Sequence, residues 1–240
     1  MTNDEPVLTN ARVVLGDEVI LGSVAVRDGR IADISTGIVA AGEDLDGDYP
    51  LPGIVELHTD HVEYHLRPRP GVHWEAMPAV LAHDAQMTAA GATTVLDAVR
   101  LGSEPSNRET VTRSARRLVD ALREADLHAD RNRQLVAEGA RRRGITLAAH
   151  DDATTEPSSP IQAAFQLVAD GTIRLEDAVK LISSNPAKAV GLDDRGEITV
   201  GRRGDLVRVR THALPGTSEH PAGMRVPIVR AVYRQGVRVA

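Results

Sequence analysis

Both ends of this 240-residue chain have the texture of β-sheet and its middle does not, which confines the fold more than any other feature. Residues 7–34, VLTNARVVLGDEVILGSVAVRDGRIADI, are short β-branched-rich segments separated by Gly16-Asp17, Gly22-Ser23 and Asp28-Gly29, the pattern of a β-meander. Residues 196–209 (GEITVGRRGDLVRV) and 226–239 (VPIVRAVYRQGVRV) repeat that pattern near the other end. Between them strands alternate with helices. The topology this predicts is a β domain assembled from both termini, with an α/β domain inserted in it.

The insert begins with Pro52-Gly53 and the apolar run Ile54-Val55-Glu56-Leu57-His58, a buried parallel strand. A helix is predicted over Met77–Ala90, closed by Gly91, then a strand over Thr93–Ala98 and an amphipathic helix over Arg108–Glu124. The rhythm is lost around Leu127–Asp130. It resumes as an Arg-rich helix over 131–143, a strand over Ile145–His150, and a helix over Pro160–Ala169 with proline in its first turn and Gly171 past its end. Asn185-Pro186 reads as an N-cap followed by an N1 proline that opens one last short helix.

Composition excludes several functions. Aromatic residues are 2% of the chain, so the core rests on Val, Leu, Ile and Ala, and base stacking on aromatic platforms is not expected. The formal net charge of -6 excludes a chain that is basic overall. All the basic residues but Lys180 and Lys188 are Arg, an excess read mainly as compositional bias. With no Cys there is no thiolate metal site and no thiol nucleophile. The start, Met1–Val7, has no secretory pattern and no apolar run approaches a membrane span, so a cytoplasmic protein is expected. Walker, GxGxxG and GxSxG motifs are absent.

Chemistry concentrates where strands end. His58-Thr59-Asp60 puts an imidazole and a carboxylate two residues apart at the end of a buried strand, the position where α/β enzymes build their sites. Nitrogen and oxygen donors of this kind suit a divalent transition metal, and on spacing alone the pair fits either a metal site or a capped turn. His150-Asp151-Asp152 repeats the arrangement after the Ile145–Ala149 run. Asp97 is a third strand-end acid, open between a turn role and a role beside the metal. The segment His61–Trp74, HVEYHLRPRPGVHW, holds Arg67 and Arg69 in a proline-stiffened loop suited to phosphate, or else a solvated rim. His83-Asp84 falls inside the predicted helix, where a hydrogen-bonded structural histidine is the favoured reading.

The runs LPGIVELHTDHVEYHLRPRPGVHW, AHDAQMTAAGATTVLDAVRLG, GITLAAHDDAT and KLISSNPAKAVGLDDRGEITVGRRGDLVRVR together resemble the alpha-D-ribose 1-methylphosphonate 5-triphosphate diphosphatases of the carbon-phosphorus lyase pathway, within the amidohydrolase superfamily. The resemblance implies an α/β fold with a TIM-barrel-derived domain, residues 54–194, inserted in a small β-sandwich of residues 1–53 and 195–240. It implies a hydrolase that cuts a ribose 5-triphosphate to the 5-phosphate and pyrophosphate with one or two divalent ions, Zn, Mn or Fe. On that basis His58, Asp60, His150 and Asp151 are the metal ligands, Asp97 and Asp152 the catalytic carboxylates, and Arg67 and Arg69 the phosphate contacts. The implied partner is a small phosphorylated sugar phosphonate, with neither nucleic acid nor membrane involved.

The family's HLRCE-like, MDH-like and SSDY-like motifs are missing here. Ile54 to Leu192 also spans only about 140 residues, where an eight-stranded barrel takes about 250. Two internal losses are therefore expected, near Leu127–Arg133 and Thr155–Ser158, with an incomplete barrel that hides its strand edges by self-association into a homo-oligomer. Two other functions remain open at this point: a noncatalytic shortened homologue that binds a phosphorylated ligand or a partner, and an amidohydrolase acting on a cyclic amide.

Overall fold

The computed structural model describes residues 6–97, 159–215 and 224–240, and between them 117, 118, 120–125, 127, 128, 130 and 131. The predicted helix over 131–143 (beyond residue 131), the strand over Ile145–His150, and the site residues His150, Asp151 and Asp152 lie outside the described residues.

Near the N-terminus β1 (Val7–Val14), β2 (Val19–Arg27) and β3 (Arg30–Thr36) form an antiparallel meander, and the two-residue strand β4 (Glu43–Asp44) pairs parallel with β1, giving the order β3-β2-β1-β4. The β2–β3 turn is Asp28-Gly29 with φ of 50° and 73°, the left-handed pair that a two-residue hairpin needs to match strand twist. Gly22-Ser23 does not turn; it lies inside β2. There a Cβ on residue 22 would fall 2.2 Å from the Ser35 carbonyl oxygen of β3, so glycine serves close strand approach.

A second sheet has the order β11-β10-β9-β5, from β5 (Tyr49–Pro52), β9 (Leu206–Leu214), β10 (Met224–Arg234) and β11 (Val237–Arg238). The expected strand content of residues 196–205 is not found, although Ile198 of that stretch is buried. The two sheets share an aliphatic core that includes Leu8, Val13, Val24, Val26, Ile31, Leu45, Leu206 and Ala231. Arginine ties them at the edge. Arg208 Nε donates to Asp48 Oδ2 at 2.6 Å and its Nη1 to Glu43 Oε1 at 2.6 Å, while Arg210 Nε donates to Asp48 Oδ1 at 2.5 Å and Tyr233 Oη to Glu43 Oε2 at 2.6 Å. One carboxylate held by two guanidinium groups shows that at least these arginines have a use the planar fork alone provides. Burial and the hydrogen bond to Glu43 together hold the Tyr233 phenol above its ordinary range.

The third sheet is parallel, β6-β7-β8, from β6 (Ile54–Thr59), β7 (Ala92–Asp97) and β8 (Asp130–Arg131). β6 and β7 are joined through α1 (Val62–Leu66) and α2 (Ala76–Ala89). Residue 131 is thus strand and not the start of a helix; its charged pair carries no β-signature, and backbone pairing with Thr94 and Val95 places it. Helical residues within 117–124 pack Leu118, Ala121 and Leu122 against Val62 and Val80.

The helices α3 (Pro160–Ala169) and α4 (Leu175–Ile182) bury Ile161, Ala164, Phe165, Ala178, Val179 and Ile182 in a core continuous with Ile54, Val95, Val207 and Val232. One apolar core therefore runs from the parallel sheet into the second antiparallel sheet. α5 (Ser184–Ala189) starts one residue before Asn185, so Asn185 sits within the helix and does not cap it. Arg195, in the connection that follows, reaches back to β7 and donates to Thr94 Oγ1 at 3.0 Å. No described helix is long and apolar enough to cross a membrane.

Candidate active site at the ends of the parallel strands

Ile54 and Val55 are fully buried and commit the first half of β6 to the core. The second half is irregular. Pairing with β7 shifts between Glu56 and Thr59, and the backbone N–H of His58 donates to the carboxylate of Glu56, itself buried, at 3.0 Å. A side chain that takes up a strand's own N–H competes with the ladder, and interruptions of this kind re-aim neighbouring side chains.

Thr59 ends the strand and pairs with Asp97, the last residue of β7. The Thr59 hydroxyl accepts the N–H of His61 at 3.2 Å and the Asp60 carbonyl accepts the N–H of Glu63 at 3.1 Å, so the chain turns at once into α1. The structure therefore puts His58, Asp60 and Asp97 at two adjacent strand ends, with Asp60 8% exposed.

α1 packs beside α2, and a short closed loop follows it. Arg69-Pro70-Gly71-Val72 is a tight turn with Gly71 at φ 75° and the Val72 N–H donating to the Arg69 carbonyl at 3.1 Å. The Trp74 N–H closes the loop on the Leu66 carbonyl at 2.8 Å. Arg67 and Arg69 are exposed on this closed loop.

Histidines outside the expected set complete the surroundings. His83 Nε2 lies 2.7 Å from Asp97 Oδ1, and its ring centroid is 6.5 Å from that of His61 and 5.9 Å from that of His65. His65 Nε2 in turn meets Gln86 Oε1 at 2.7 Å. Asp84, 1% exposed, accepts both the N–H of His128 at 2.9 Å and His128 Nδ1 at 2.7 Å on Oδ2. The sequence did carry a signal for the helical pair: Ala79, Val80, His83, Asp84 and Met87 recur at helical spacing on the buried face of α2. His128 had none, because it stands alone in a segment without periodicity.

His58 and Asp60 offer the nitrogen and oxygen donors that a divalent transition metal accepts. Among the described residues no group of three or more His, Asp or Glu converges as a metal site.

Comparison with known proteins agrees with this architecture. An amidohydrolase family model (Amidohydro_3) matches residues 136–240. Enamidase aligns over 98% of this chain and 95% of its own, with a TM-score of 0.58 and 14% sequence identity. Dihydropyrimidinase from Brevibacillus agri NCHU1002 aligns over 98% and 95%, with a TM-score of 0.56 and 12% identity.

The chain has an amidohydrolase-like fold. It also resembles the alpha-D-ribose 1-methylphosphonate 5-triphosphate diphosphatase of Escherichia coli (strain K12), being 43% identical over 98 residues, 40% of this chain. That match spans 26% of the curated relative's length.

Proposed function

We propose that this amidohydrolase-like chain is a metal-dependent diphosphatase that converts alpha-D-ribose 1-methylphosphonate 5-triphosphate to the 5-phosphate and pyrophosphate. The observation that carries the reading is the 43% identity over 98 residues to an enzyme of that name. The enamidase and dihydropyrimidinase likenesses, at 14% and 12% identity, support a shared fold and favour no amide substrate.

In this reading His58 and Asp60 hold a divalent cation, with His150 and Asp151 as further ligands. When bound, the cation supplies Lewis acidity that lowers the barrier to attack on a phosphoanhydride. Arg67 and Arg69, exposed on the loop that Trp74 closes, pair with triphosphate oxygens and hold the chain of phosphates in one orientation. Asp97, with one oxygen against His83, receives a proton from the attacking water, and Asp152 is the second carboxylate for that role. As the new P–O bond forms, the P–O bond to pyrophosphate breaks and pyrophosphate leaves with the charge the arginines neutralise.

The test is pyrophosphate release from the sugar triphosphate by the Mn-loaded protein, with a dihydropyrimidine as the amide control. The expected result is pyrophosphate in equal amount to the 5-phosphate, no amide turnover, and a fall in kcat of at least about 100-fold in H58N and D60N. Amide turnover without pyrophosphate would overturn the reading, and so would saturable binding of the triphosphate with no hydrolysis.

A further inference from the structure

We propose that His83 is a positioning residue for Asp97, donating its Nε2–H to fix the plane of that carboxylate at the strand ends. The inference rests on the proposed function in that Asp97 is taken as the carboxylate that receives the proton.

Three observations carry it. His83 is 0% exposed on the buried face of α2, which it shares with Ala79, Val80, Asp84, Met87 and Thr88, and an aliphatic side chain there would leave no polar atom to satisfy. Its Nε2 lies 2.7 Å from Oδ1 of Asp97, within the range of a charge-assisted bond, on a residue that pairs with Thr59 beside Asp60. The helix that presents His83 is also held in rotation. Asp84 points about 100° away around α2 and takes two donors from His128, so α2 cannot turn to relax one pair without breaking the other. Gln86, two residues on, holds His65, whose ring stacks at a tilt over His83. A carboxylate free to rotate samples several orientations; a hydrogen bond on Oδ1 narrows them before substrate arrives, which favours efficient proton acceptance.

The experiment compares H83L, which keeps volume and removes the donor, with H83Q, whose amide nitrogen reaches the place of Nε2. Long-range 1H–15N spectra of the imidazoles are recorded for wild type and D97N. In wild type His83 is expected in the Nε2–H form, with its resonance moved in D97N. H83L is expected to lower kcat for pyrophosphate release by about 10- to 100-fold with KM within about twofold, and H83Q to recover most of the loss.

Wild-type kcat in both variants with only a lowered Tm would overturn the inference, leaving His83 a buried packing group. An Nδ1–H tautomer, or a His83 resonance indifferent to D97N, would overturn it as well. If the wild type releases no pyrophosphate, the proposed function falls by itself, and the spectra decide alone: an Nε2–H signal that moves in D97N supports the pairing, and its absence ends it.

Discussion

A methyl group added at Gly22 would sit 2.2 Å from the Ser35 carbonyl oxygen, a contact no Cβ tolerates and one made with backbone that cannot swing away. G22A should therefore destabilise the protein by about 2 kcal/mol in urea unfolding, by forcing β2 and β3 apart. G16A is the control, since nothing lies within 4 Å of a Cβ there, and it should fall within about 0.5 kcal/mol of wild type. In sequence the two glycines look alike, each followed by a small polar residue that suggests a turn. What separates them is a neighbour on another strand, and local composition holds no trace of it. Asp28-Gly29 is the opposite case, because the left-handed φ pair of a hairpin selects those two residues by their own backbone preferences and the turn is legible at once. Residues around the candidate site divide in the same way. The strand-end positions of His58, Asp60 and Asp97 are legible in the sequence, whereas the Asp84–His128 contact joins residues 44 apart through a segment with no pattern.

At the level of elements, the connection after α5 is tied to β7 by one arginine. Arg195 donates through Nε to Asp194 Oδ1 at 2.8 Å and through Nη2 to Asp194 Oδ2 at 3.1 Å, while Nη1 reaches Thr94. The guanidinium holds the Asp194 carboxyl below its ordinary value of 3.8. A carboxyl lowered on folding stabilises the native state above its unfolded pKa, and that contribution is lost as pH falls through the folded value. The stability gap between wild type and D194N should thus be constant above about pH 5 and shrink below about pH 4. Solvent at the half-exposed Asp194 limits the gap to about 0.5 kcal/mol, measurable by denaturation at a series of pH values. Most elements were legible: α3 falls on its predicted residues, Pro160–Ala169, and β6 on its apolar run. α4 is an element not expected between Gly171 and Asn185, although Leu175, Ala178, Val179 and Ile182 have helical spacing and face the core. α4 lacks a capping side chain, and Arg174 at its N-cap gives no start signal, so only the periodicity marks it.

For the whole molecule, the division into 54–194 and the flanking segments follows a change in texture along the chain. The core does not stop there, since the apolar cluster around Ile54 and Val95 includes Leu51, Val207 and Val232 of the second antiparallel sheet. Periodicity reports that a residue is buried but not in whose company, so a cluster shared by two sheets leaves no trace in it. Among the described residues β6 and β8 are the outer strands of the parallel sheet, and β6, which starts on Ile54 and Val55, is a parallel edge that can template another chain. We expect self-association in solution, with light scattering giving a mass at least twice 25.7 kDa; a stable monomer would remove that expectation.

The arginine clamp between the antiparallel sheets has a further consequence in time. Arg208 and Asp48 are 160 residues apart in sequence, and Tyr233 and Glu43 are 190 apart. Closing a loop of that size costs about 4–5 kcal/mol of chain entropy before any contact repays it, and folds dominated by such distant pairings form slowly. During synthesis the first meander can pair with itself as it emerges, but Asp48 and Glu43 must wait for β9 and β10 to leave the ribosome. Until then the face that β9 and β10 will cover stays open to other chains.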